Sequence, residues 1–237
     1  MIISDTQKFI FLHIPKCGGT TIRNSLINFD TRNNYFWMFD YLPGAEAESS
    51  KLQVDKAHMT LAIFKQLYPR DFELLNDYTV FAFSRNPIKR LISSFWEPRK
   101  RILKTFDENQ LDINLKNKIQ ELFNLYLEKL VLNYSFLDPS YLHSTPQNMY
   151  VTFGKKVVTD VIIKLDDPTE GINSLSILIP EVAETISTAI RNSRLNVSSY
   201  IKKDFLWEEA PINLKENFLI RYKKDFDLLG YKKPLLG

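Results

Sequence analysis

Cysteine, histidine and glycine are all scarce in this chain. Its 237 residues include one cysteine, Cys17, and three histidines, His13, His58 and His143. A single cysteine excludes an intrachain disulfide framework and any cysteine-cluster metal site, and three histidines leave little from which to build a zinc centre. Average usage would supply roughly 17 glycines; the chain has 7, two of them adjacent at Gly18 and Gly19. Long apolar runs are absent too. No segment approaches the ~20 apolar residues needed to span a bilayer, and Met1 to Lys8 lacks the basic-then-apolar pattern of a secretory signal. The sequence as written is expected to be soluble and cytoplasmic, with a membrane-associated or Golgi-lumen location only for a trimmed fragment. Neither sign of charge dominates: 31 basic and 28 acidic side chains leave +3. That balance does not mark a duplex nucleic-acid binder, which carries a concentrated basic face.

What is present is an ordinary globular composition, 44% hydrophobic and 25% charged, long enough for an enzyme-sized core. No internal repeat, low-complexity tract or Gly/Ser/Pro-rich linker divides it, so one continuous domain over residues 1–237 is expected. Lys8 to Ile14 is short, apolar and bounded by Pro15, the pattern of a strand buried on both faces. A turn follows over Pro15 to Gly19. From Thr20, apolar Ile22, Leu26 and Ile27 recur at helical spacing. A second strand–turn–helix unit runs from Tyr78 to about Trp96, with Asn86 as N-cap and Pro87 in the first helical position. Between them Met59, Ile63, Phe64 and Leu67 mark a short amphipathic helix opened by His58. Leu115 to Val131 carries a long amphipathic stripe, and Val157 to Leu165 reads as another buried strand. Asp167-Pro168-Thr169-Glu170 resembles a helix start. Leu214, Phe218, Leu219, Tyr222 and Phe226 form a last stripe closed by Gly230. Strands alternating with helices predict an α/β fold with a mostly parallel sheet.

Pro15-Lys16-Cys17-Gly18-Gly19-Thr20-Thr21 brings backbone N–H groups, an ammonium and two hydroxyls to a helix N-terminus, which favours anions. The order is not that of a nucleotide-hydrolase P-loop, where the lysine follows the glycines, and nothing matches the dinucleotide Gly-x-Gly-x-x-Gly. With its flanking residues, His13 to Thr21 resembles the 5′-phosphosulfate loop of sulfotransferases that use 3′-phosphoadenosine 5′-phosphosulfate, most closely the carbohydrate-type branch that includes heparan and chondroitin sulfotransferases. The resemblance implies a P-loop-like three-layer fold and assigns donor contacts to Lys16, Cys17, Gly18, Gly19, Thr20 and Thr21. Cys17 departs from the usual Thr or Ser. Arg85-Asn86-Pro87 through Ser93 and Phe95 is similar to the family's 3′-phosphate motif, which implies that Arg85 and Ser93 grip that phosphate. Lys89 and Arg90, in the same stretch, read as solvated or paired.

Weaker likenesses extend along the chain. His143 to Gln147 is like a family His-x-x-Pro-Gln segment. Arg194 to Ser198 resembles a loop that closes over the donor, implying contacts from Asn196 and Ser198. Tyr222 to Tyr231 resembles the family's terminal pattern. The tripeptides at Asn133 and Asn196 are formal glycosylation sequons, read as coincidental.

Sulfuryl transfer to an alcohol needs a base for the acceptor hydroxyl and a cation for the departing phosphate, and a histidine titrates in the useful range. In related uronyl 2-O-sulfotransferases a histidine a little upstream of the arginine-motif strand acts as base, which points to His58. His13, His143, Glu97 and Glu46 stay open as alternatives. Lys16 is the expected cation, and the scheme requires no metal. The resemblance thus implies transfer to a hydroxyl of a glycan or glycoconjugate, the alternatives being a catalytically silent nucleotide-binding module or an irregular P-loop kinase. Arg99, Lys100, Arg101 and Lys104 could attract an anionic glycan, and Tyr35, Phe36, Trp37, Phe39 and Tyr41 are either sugar platforms or core, with core expected for at least half.

Overall fold

The computed structural model describes residues 1–37, 39–41, 53–97, 113–132, 141–193 and 205–236. The chain forms two compact units, each built from two stretches of sequence: residues 1–85 with 147–197, and residues 86–146 with 198–237. The first unit begins with β1 (Ile2–Ser4), β2 (Phe9–Leu12) and α1 (Gly19–Leu26), then a two-stranded hairpin of β3 (Phe39–Tyr41) and β4 (Gln53–Asp55). Helices α2 (Leu61–Leu67) and α3 (Pro69–Glu73) and strand β5 (Thr79–Ser84) follow. In the second unit come α4 (Pro87–Trp96) and α5 (Ile113–Leu132). The chain rejoins the first unit with α6 (Asn148–Val151), the small hairpin β6 (Thr152–Phe153) and β7 (Lys156–Val157), then β8 (Val161–Lys164), α7 (Thr169–Leu178) and α8 (Pro180–Ser193). It closes in the second unit with α9 (Phe205–Glu208), α10 (Ile212–Arg221) and α11 (Lys223–Leu229).

The first unit holds a sheet in the order β1-β2-β5-β8. β2, β5 and β8 run parallel, with Phe11 opposite Phe81 and Phe81 opposite Val161, while β1 adds an antiparallel edge. Phe9 to Leu12 and Val80 to Phe83 are buried along their whole length, as parallel strands covered on both faces must be. Helices flank this sheet: α7 packs on β8 and on α8, and α8 packs on α1. The architecture is the expected α/β, P-loop-like three-layer arrangement. Expected strand 157–165 is divided. Val157 pairs in the hairpin, and Asp160 then turns the chain, its backbone N–H donating to Val80 O while its carboxylate accepts from Val80 N, both at 2.7 Å.

The second unit is helical among its described residues. Leu91, Phe95, Phe123, Leu127, Leu130, Trp207, Phe218, Tyr222 and Phe226 close one apolar core. Phe95 meets Phe123 edge-on at 5.2 Å, and Phe218 stacks on Tyr222 at 4.3 Å, geometries aromatic quadrupoles favour. Asn86 caps α4 as expected, its Oδ1 accepting from Ile88 N at 3.0 Å and Lys89 N at 3.3 Å. Lys89 is exposed, but Arg90 is buried to 2% exposure, so it is part of the interior rather than a solvated side chain. The final stripe is two helices instead of one. Tyr222 leaves helical geometry (φ −98°, ψ 11°) and its buried hydroxyl donates to Ser144 O, an attachment an unbroken helix would have to satisfy by another route. Gly230 ends α11 in the left-handed conformation.

Candidate active site

Strand β2 delivers the cradle and α1 receives it. Two residues there adopt left-handed backbone: Lys16 at φ 66° and Gly18 at φ 76°. Glycine takes that conformation freely, whereas lysine pays a Cβ clash of about 1–2 kcal/mol. Strain of this kind persists where the surrounding structure dictates it, commonly at functional sites. Gly18 O starts the helix by accepting from Thr21 N at 3.1 Å. Gly19 is required for a different reason: a Cβ there would fall inside the imidazole ring of His13. Lys16 is half-buried, and Thr20 and Thr21 are exposed at the first turn of α1, so the turn from Lys16 to Thr21 carries an ammonium, two hydroxyls and the first-turn N–H groups. That donor set suits a doubly charged phosphate oxygen cluster. Cys17 differs from its neighbours. Its side chain is fully buried, with Sγ 3.3 Å from Gln147 Oε1 and 3.6 Å from Pro15 O, which leaves its backbone to the cradle.

Arg85 follows the last residue of β5, the strand that pairs directly with β2 in parallel, so it leaves the sheet at the same end as the cradle. Its Nη1 reaches Lys16 O at 3.4 Å, so the guanidinium lies against the cradle backbone. Its main chain is held by the side chain of Gln147: Arg85 N donates to Gln147 Oε1 at 3.0 Å, and Gln147 Nε2 donates to Arg85 O at 2.8 Å. Ser93, the other member of the second anion motif, lies half-buried on α4 in the second unit.

His58 ends a short 3-10 turn, Lys56–His58, rather than opening α2. Its Nδ1 is 2.5 Å from Asp55 Oδ2, and the other oxygen of Asp55 accepts from Ala57 N at 3.0 Å. A carboxylate can only accept, so the imidazole N–H is directed to Asp55 and Nε2 is left as the proton-accepting atom. The His58 ring lies 4.4 Å from that of His13, the residue packed on Gly19. Contact therefore runs continuously from the cradle through His13 to His58 and Asp55. His13 also lies parallel to Trp37, 5.4 Å away with 3° between planes, and the Arg23 guanidinium stands 3.9 Å from the Trp37 ring centre. Trp37 is thus engaged with protein, and Phe36 is core at 2% exposure, which removes both from the candidate sugar platforms. Tyr35 remains exposed, beside Lys56 Nζ at 3.8 Å.

His143 sits on the 3-10 turn Leu142–Ser144 of the second unit, where Ser94 Oγ donates to its carbonyl at 2.8 Å. Glu97 is half-buried just past α4. Asn196, Ser198, Glu46, the Arg99–Lys104 basic run, both sequons, and the side chains of Phe39 and Tyr41 lie outside the described residues. Asp55 was not singled out in the sequence, and Gln147 stood there only as the end of the His143–Gln147 likeness, with no role. An Asp-x-x-His spacing could have suggested the first; contacts across 130 and 62 residues hid the second.

No helix among the described residues is long and apolar enough to cross a membrane. A family model described as the sulfotransferase family matches residues 1–232. No curated protein and no solved structure matches the chain. With the family model spanning nearly the whole sequence, through the cradle, the arginine strand end and the His58 turn alike, the chain belongs to sulfotransferase family 2.

Proposed function

We propose that this sulfotransferase moves a sulfuryl group from 3′-phosphoadenosine 5′-phosphosulfate to a hydroxyl of a carbohydrate or glycoconjugate, with His58 as general base and Lys16 as the charge-stabilising cation. The observation that carries the reading is the Asp55–His58 pair, connected through His13 to the glycine of the cradle. The donor, when bound, supplies an activated sulfuryl group on a phosphate leaving group. Cradle N–H groups, Thr20, Thr21 and Lys16 are suited to its 5′ end, and Arg85 and Ser93 are assigned to its 3′-phosphate. Lys16 offsets charge that grows on the departing phosphate, and as a point charge it can follow the bridging oxygen. Asp55 holds the His58 ring so that Nε2 accepts the acceptor's hydroxyl proton, and it stabilises the resulting imidazolium. Holding the acceptor oxygen in line with the scissile bond contributes the rest of the rate.

A transfer assay with labelled donor and a panel of glycans tests this. Wild-type protein should sulfate at least one glycan. Lys16→Ala and His58→Ala should lose transfer with unchanged circular dichroism, and Asp55→Asn should lower kcat by about 10²-fold or more, since general-base catalysis is worth about 10²–10⁴. Full activity in His58→Ala would remove it as the base. Bisphosphate binding without transfer to any glycan would favour the silent-module reading.

A further inference from the structure

We infer that Gln147 is a positioning residue that locks the two anion-binding elements of the first unit into one spacing. Its amide is fully buried and is used on both sides. Oε1 accepts from Arg85 N at 3.0 Å and from the Cys17 thiol at 3.3 Å, while Nε2 donates to Arg85 O at 2.8 Å. The pairing with Arg85 copies the two-way hydrogen bonding of a neighbouring strand, at the point where β5 has ended and β8 no longer supplies it. The thiol bond ties the same amide to the middle of the cradle. Gln147 is itself held from behind: Tyr150 N donates to its carbonyl at 3.0 Å at the start of α6, and α6 packs against α2. Cradle and arginine therefore share one buried rigid link, reinforced by the bond from Arg85 Nη1 to Lys16 O.

Buried polar groups held on all sides fix geometry because each alternative leaves a donor or acceptor unsatisfied. The link also accounts for cysteine at position 17. The side chain faces away from the ligand side into a fully buried space, where a weak thiol donor to Gln147 is sufficient and the cradle needs only the backbone. This role rests on the donor site proposed above, because it matters only if one ligand carries phosphates to both elements. A residue that sets spacing contributes little to a ligand touching one element and much to a ligand touching both.

The discriminating quantity is the ratio of dissociation constants for adenosine 5′-monophosphate and adenosine 3′,5′-bisphosphate, measured by calorimetry at a temperature where each variant is folded. Gln147→Glu keeps the shape but sets a carboxylate oxygen against Arg85 O. It should cut the wild-type preference for the bisphosphate about tenfold, equivalent to about 1.4 kcal/mol. Cys17→Ala removes one leg of the link and should cut the preference by a smaller factor in the same direction. A lower melting temperature with the wild-type ratio retained in Gln147→Glu would mean that the amide only stabilises the fold, and would overturn the role. If Gln147→Glu does not fold, Cys17→Ala decides, and an unchanged ratio there overturns it equally. Wild-type protein that shows no preference for the bisphosphate would instead overturn the donor reading, and this role with it.

Discussion

Lys16 concentrates the conflict between folding and function in one residue. Its left-handed backbone suits glycine, while the proposed chemistry needs its ammonium. The two demands separate by mutation. Lys16→Gly removes about 1 kcal/mol of backbone strain, offset in part by the greater freedom glycine has in the unfolded chain. Its melting temperature should equal or exceed that of Lys16→Ala, which keeps the strain, and both should be inactive in the transfer assay. Thermal melts of the pair check this; a Lys16→Gly variant that melts well below Lys16→Ala would mean that the conformation is not strained. Gly18 and Gly19 fill out the picture. The first is glycine because of its backbone angle, the second because His13 occupies the space a side chain would need. A glycine pair in a glycine-poor chain was legible as a strand-to-helix turn, but the distinct duties of its members depend on a histidine contact that only the folded chain reveals.

Strand–turn–helix units carry both proposed anion elements, and as folded units they were the most legible part of the sequence. The reasons are local. An apolar run such as Phe9 to Leu12 declares a two-sided strand. Asn86-Pro87 declares a helix start, because the asparagine oxygen satisfies first-turn N–H groups and proline needs no donor there. Replacing that cap should therefore have a defined effect: Asn86→Ala is expected to lower stability by about 1 kcal/mol, read as a shift of the urea midpoint with no change in slope. An unaltered midpoint would mean that the cap contributes nothing net. Other boundaries were decided by partners far along the chain. The last stripe breaks at Tyr222 because its hydroxyl bonds to Ser144 O, and the strand expected from Val157 begins only at Val161 because Asp160 is recruited to Val80. Helical periodicity says nothing of either. The β1 edge strand, whose Ile2 and Ile3 are buried against β2, likewise depends on pairing and not on a distinctive local pattern.

For the molecule as a whole, a charge network at the N-terminal edge of the first unit offers a test by pH. Arg32 bonds to Asp5 and, at 3.1 Å, to Asp71, and Tyr78 donates to Asp5 at 2.8 Å. The Arg32 hydrogen bond, aided by Tyr78 and Thr31, holds the Asp5 carboxyl below its usual range. A carboxyl whose folded pKa is depressed stabilises the fold above its unfolded pKa of about 3.9, and that contribution is lost as pH falls through the folded value. Asp5→Asn should thus be less stable than wild type at pH 7, by about 0.5–1 kcal/mol given the exposure of the pair. The difference should shrink towards zero as the pH falls below about 4. Denaturant melts of both proteins across that range check it; a constant difference would locate the effect outside the charge. By itself, the sequence determined the α/β class and the two strand–turn–helix units, because these are written in neighbouring residues through apolar period, capping chemistry and glycine placement, whereas the proposal of His58 rests on the family resemblance. Tertiary structure alone decided that Asp55 orients His58, that His13 joins this pair to the cradle, that Cys17 turns inward, and that Gln147 binds Arg85 and Cys17. Those relations form when packing brings distant positions within hydrogen-bonding reach, and no local pattern encodes which distant group will satisfy a buried donor.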